Sequence, residues 1–106
     1  MPHDPEFLKE LAHMFLEDGP QLMTHIREAI DARKAPDLKL AAHTLKGSVG
    51  VFKDQPGFEA ALQMEHIGRD ADWDNAENAW TGLGGQMERL SETLSAMVAS
   101  EREASL

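Results

Sequence analysis

Apolar residues return along this chain at steps of three and four, the spacing that gathers them on one face of an α-helix. No stretch alternates with the period of two expected of a half-buried strand. Glycine and proline punctuate the pattern, and Asp18-Gly19-Pro20, Lys34-Ala35-Pro36-Asp37, Lys53 to Gly57 and Arg69 to Asp72 read as connections. A first helix is predicted over about Asp4 to Glu17, with Asp4 as N-cap and Pro5 in the first turn. Its buried stripe would be Phe7, Leu8, Leu11, Met14 and Phe15. A second helix, from near Pro20, would bury Leu22, Met23, Ile26, Ala29 and Ile30. A third, from near Pro36, offers Leu38, Ala41, Ala42, Leu45, Val49 and Phe52. A fourth covers about Pro56 to Arg69 and carries Phe58, Ala61 and Leu62.

The last segment is longer. Trp73, Ala76, Trp80, Leu83, Met87, Leu90, Leu94 and Met97 alternate three- and four-residue steps, as the a and d positions of four heptads do. Such a stripe serves either a long helix packed along its neighbours or a dimerising coiled coil. The shorter amphipathic helices need a partner of their own, which favours the first arrangement. Gly82, Gly84 and Gly85 each cost about 1 kcal/mol against alanine inside a helix, and they mark a place for a kink or local break. The expectation is an all-α bundle forming a single domain over residues 1–106. Its core would run over about 4–99, with a polar tail at 100–106 that frays.

Composition narrows the function more than the fold. With 106 residues and 42% apolar content, the chain can bury one core and not two. Its 19 acidic and 10 basic residues leave a net charge of -9, which argues against nucleic acid or an anionic membrane as a partner. The absence of cysteine removes disulfides, thiolate metal sites and thiol nucleophiles. No apolar run reaches the length of a membrane span and no leader is evident, so a cytoplasmic location is expected. His3, His13, His25, His43 and His66 form no ligand-spaced pair, so no metal site is expected. Gly82-Leu83-Gly84-Gly85 lacks the lysine and the strand–helix setting of a phosphate loop. Autonomous phosphorylation from ATP is therefore not expected, and no intrinsic cofactor either.

One histidine stands apart from the core pattern. On a helical wheel the third helix keeps its apolar stripe within about 60° of one direction, and His43 falls about 140° away. Lys39, Lys46, Gly47 and Gly50 share that outer face. An unprotonated imidazole is a nucleophile near neutral pH, and ammonium groups beside it would offset the charge of a transferred phosphoryl group. Two glycines on one helical face ask for a reason, since glycine destabilises helices. Clearance for an incoming group is such a reason. An exposed surface histidine among solvated lysines is the plainer alternative. Leu40 and Val51 lie off the core stripe nearer the His43 face, either as isolated surface residues or as parts of a docking patch with Gly47 and Gly50.

Ala41-Ala42-His43-Thr44-Leu45-Lys46-Gly47-Ser48-Val49-Gly50 resembles the motif of the histidine phosphotransfer (HPt) domain family, His-x-Leu-Lys-Gly followed by small residues. Phe15-Leu16-Glu17-Asp18 before a proline-started helix, and the run from Leu62 to Arg69, are similar to the family as well. The resemblance implies an antiparallel four-helix bundle with a short additional N-terminal helix. It also implies a phosphoryl carrier on Nε2 of His43 that exchanges with receiver-domain aspartates, downstream of a hybrid sensor histidine kinase. Any Mg²⁺ would belong to the receiver. Lys46 would neutralise phosphoryl oxygens, with Lys39 as a weaker candidate, and Gly47 would give steric clearance. A Gln or Glu on the next helix would accept a hydrogen bond from Nδ1. Glu65 has that spacing, twenty-two residues after His43, and Gln63 is a nearby substitute. On the wheel Glu65 falls with Phe58, Ala61 and Leu62, although Met64 and Ile67 leave the centre of that stripe ambiguous. A monomer is expected, since the long apolar stripe is read as packing within one bundle. A bundle that only binds receivers or dimerises, without carrying phosphate, is the competing function.

Overall fold

The computed structural model describes the backbone of residues 5–105 and the side chains of residues 5–100. Asp4, proposed as an N-cap, lies outside the described residues. Four α-helices follow one another: α1 (Pro5–Ala32), α2 (Ala35–Gly50), α3 (Gln55–Asp70) and α4 (Ala76–Ser105), with a 3-10 turn at Trp73–Asn75 leading into α4. They form a closed ring in which each helix packs on its chain neighbours and α4 returns to α1. The register is antiparallel throughout, as Arg27 against Glu77, His43 against Glu65 and Asp54 near Arg89 show.

The first two expected helices are one. Pro20 sits inside α1 and Gly19 is buried there, so the short N-terminal helix is the first half of a 28-residue element. Proline withholds an N–H and disfavours a continuous turn, but Ala12, Phe15, Gly19, Ile26 and Ile30 keep one buried stripe running past it. A Cβ on Gly19 would stand 3.3 Å from the Phe15 ring, so glycine here serves close packing, not a chain reversal. The stripe is centred on Ala12 rather than Leu11, which leaves Phe7 and Met14 exposed instead of buried.

Chain reversals fall on other residues. Arg33, Lys53 and Ala71 have φ of 53°, 55° and 51°, while no glycine has positive φ. After α1, Lys34 N–H bonds Ala29 C=O and Arg33 N–H bonds Ile30 C=O. After α3, Asp72 and Ala71 do the same with Ile67 and Gly68. Both are left-handed helix closures that capture otherwise unpaired carbonyls.

The expected stripe of α2 is buried at Leu38, Ala41, Ala42, Leu45 and Val49. Phe52 is half-buried just past the helix end, with its ring edge-on to Phe15. α4 runs without a break through Gly82, Gly84 and Gly85 and stays helical to Ser105, where a fraying tail was expected from Ser100. Ala76, Ala79, Leu83, Met87, Leu90, Leu94 and Val98 face inward, so the heptad stripe is consumed within the bundle. Trp80 is half-buried and lies under the Arg27 guanidinium, which also forks onto Glu77 and tethers α4 to α1.

Candidate functional site

The α2–α3 hairpin builds the site. A Cβ on Gly68 would lie 2.5 Å from the backbone nitrogen of Lys39, so the two helices approach almost backbone to backbone there. One turn further along each helix, that approach brings Glu65 of α3 beside His43 of α2. The core stripe of α3 is Gly57, Ala61, Met64, Ile67 and Gly68, with Phe58 and Leu62 half-buried. Its centre is therefore Met64, and Glu65 occupies the edge of the stripe rather than its middle.

His43 projects outward with 63% of its side chain exposed, whereas Glu65 retains only 14%. Nδ1 of His43 is 3.2 Å from Oε2 of Glu65. An ionised carboxylate can only accept, so the ring proton belongs on Nδ1 and Nε2 keeps its lone pair. Lys46 Nζ meets the other carboxylate oxygen, Oε1, at 2.8 Å as an ion pair. The Lys46 ammonium holds the Glu65 carboxyl below the usual range. Partial burial opposes this, and the His43 ring adds a smaller lowering.

Around the ring, Thr44 and Ser48 donate their hydroxyls to the carbonyls of Leu40 and Thr44. A Cβ on Gly47 would meet nothing within 4 Å. The chain itself therefore does not demand glycine there. On Gly50 a Cβ would touch the Phe58 ring at an ordinary 3.6 Å. Lys39 is exposed one turn before His43, and no ion pair or hydrogen bond engages it among the described residues.

Three neighbours escaped the sequence reading. Phe58 lies beneath the Lys46 ammonium, 5.9 Å from ring centroid to Nζ. Arg69 feels the charge of Glu65 from one helical turn away, although its hydrogen bonds go to Asp70. The i, i+4 spacing of Glu65 and Arg69 carried that signal. Met14, assigned to the core, instead joins Leu11 and Val51 along the α1–α2 groove.

Leu40 is the most exposed large apolar residue described, at 67%, with Val51 at 45%. Leu40, Thr44, Gly47 and Val51 follow at helical steps along the α1 side of His43. Leu40 and Thr44 also line an open groove of about 540 Å³ floored by Leu22, Ala29 and Ala41. Among the described residues, no group of three His, Asp or Glu side chains is placed to hold a metal. No helix among them is long and apolar enough to cross a membrane.

A family model for the Hpt domain matches residues 10–100 of the chain. No curated protein and no solved structure matches it.

Proposed function

Because the chain belongs to the Hpt domain family, whose members are phosphotransfer carriers in phosphorelays and not enzymes in their own right, we propose that it carries phosphoryl groups on Nε2 of His43. The observation that carries this reading is the contact between Nδ1 and the Glu65 carboxylate on an otherwise exposed ring. The Nε2 lone pair attacks the phosphorus of an aspartyl phosphate on a receiver domain. An N–P bond forms, the P–O bond breaks, and its electron pair leaves on the aspartate carboxylate. No proton has to move. The ring keeps its hydrogen on Nδ1 and becomes cationic, and Glu65 stabilises that charge. The reverse sequence returns the group to a receiver.

Lys39 and Lys46 add positive charge to this face, which offsets the phosphoryl charge, and Gly47 leaves room for the reacting groups. Leu40, Gly50 and Val51, with Met14 beside them, give the receiver an apolar surface to cover. The receiver would bring its own Mg²⁺. An upstream hybrid sensor histidine kinase would feed the relay, and a cytoplasmic setting suits such partners.

Incubation with a phosphorylated receiver should yield an acid-labile phosphoprotein that His43→Gln cannot form. Equal labelling of His43→Gln would remove the assignment. Receiver binding without label on the natural protein would favour an adaptor instead.

A further inference from the structure

We infer that Asp18 selects the receiver: it pairs with a lysine or arginine set into the apolar helix face that the receiver lays along the α1–α2 groove. This deepens the carrier reading and rests on it.

Large apolar side chains are exposed along one edge of the molecule. Among the described residues they are Phe7, Met14, Leu40 and Val51. Met14, Leu40 and Val51 border the groove between α1 and α2, and Phe7 continues the Met14 row two turns earlier. On α1 that row reads Leu11, Met14, Asp18, Leu22, His25 and Ala29, at three- and four-residue steps. Asp18 is the one anion in it. Leu11 and Val51 stand to one side of it along the groove, Leu22 and Leu40 to the other. Asp18 is exposed, and among the described residues no hydrogen bond or ion pair engages it. Toward the α1–α2 connection Glu28 and Asp37 border the groove as well, but Lys34 stands among them.

A partner that covered this strip with apolar groups alone would strip Asp18 of water and leave its charge unpaired, which is costly. A partner with a cation at that point gains a charge-assisted hydrogen bond instead. Apolar contact then supplies affinity, and Asp18 rejects helices that lack the cation.

The groove joins the transfer face. Thr44, next to His43 on α2, lines one half of it. Ser48, five residues after His43 and about 7.5 Å along the helix axis, lines the other half with Asp18. Charge therefore runs across the site, from Asp18 on the α1 side to Lys39 and Lys46 around His43. A receiver that brings an anionic aspartyl phosphate to His43 matches this polarity when its cation lies on the α1 side. A second copy of the chain is a poor occupant. Its net charge is -9, and its own exposed apolar residues lie on this same edge.

The test uses the full chain with its Asp18→Asn and Asp18→Lys variants. Receiver domains encoded in the source genome are charged from radiolabelled phosphoramidate, and the fastest donor to the natural chain serves as the probe. Phosphoramidate, a small donor that needs no docking, also labels each variant directly and should do so at the natural rate. Asp18→Asn should slow transfer from the receiver by about tenfold, the scale of one lost charge-assisted contact, and Asp18→Lys by more. Each exposed lysine and arginine of that receiver is then changed in turn to glutamate. One of these changes should slow transfer to the natural chain and restore transfer to Asp18→Lys. Unchanged transfer to Asp18→Lys overturns the inference, and so does a loss that no reversal on the receiver restores. If no receiver labels His43 of the natural chain, the carrier reading fails, and binding still decides the role of Asp18. Amide shifts of the ¹⁵N-labelled chain around Leu11, Leu22 and Leu40, on addition of the same receivers, should vanish with Asp18→Lys. Shifts that persist in that variant, or no binding by any receiver, overturn the inference.

Discussion

At the scale of single residues, two side-chain environments lead to measurements. The Glu65 carboxyl is lowered in the folded state, chiefly by Lys46, so folding favours its ionised form. That contribution to stability is complete above the ordinary glutamate value of about 4.3 and is lost as pH falls through the lowered folded value. Denaturation of the natural protein and of Glu65→Gln at a series of pH values should therefore give a stability gap that narrows below about pH 4. Gly47 gives a different expectation. A methyl group there touches nothing in the chain, so Gly47→Ala should raise folding stability by up to about 1 kcal/mol through helix propensity. Transfer from a phosphorylated receiver should nonetheless slow by about tenfold or more, since small misplacements at a reacting centre are expensive. Labelling by phosphoramidate, which brings no docking surface, should change little. Of this constellation, His43, Lys46 and Gly47 were legible from one helical wheel, because all three lie on a single regular helix. Glu65 needed the spacing and the resemblance, since it comes from a second helix whose phase the wheel misplaced. That Lys46 turns toward Glu65 and Phe58 could not be read at all: it depends on how two helices approach.

At the scale of elements, the eight glycines divide by what surrounds them, and all of them are helical. Gly82 and Gly85 face open space on α4, whereas Gly68 faces the Lys39 backbone at 2.5 Å. Gly82→Ala and Gly85→Ala should each stabilise the fold by up to about 1 kcal/mol. Gly68→Ala should destabilise it by about 2–3 kcal/mol by forcing α2 and α3 apart. Midpoints of denaturant unfolding, at unchanged slope, would check both. Gly19 bears on the missed join between the first two expected helices. Asp18-Gly19-Pro20 has the local chemistry of a turn, but the apolar steps from Ala12 through Phe15, Gly19, Met23 and Ile26 never lose phase. Burial of that stripe outweighed the local signal. Conversely, the residues that do reverse the chain, Arg33, Lys53 and Ala71, carry no sequence mark of left-handed backbone.

At the scale of the whole molecule, the all-α ring was legible because each helix is amphipathic and the connections are short. The proportions were not, because they depend on α1 continuing through Pro20. α1 and α4 are about 42–45 Å long and the α2–α3 pair about 24 Å, within overall dimensions of 50 × 23 × 19 Å. α2 ends beside Phe15 and Asp18 of α1, so the first turns of α1 and the last turns of α4 run on past the hairpin. Pro5 and Ser105 consequently lie toward the same pole. A pull transmitted through those two ends would meet the α1–α4 pair at its tip first, as a shank carries a tool head, before it reached the hairpin that holds His43.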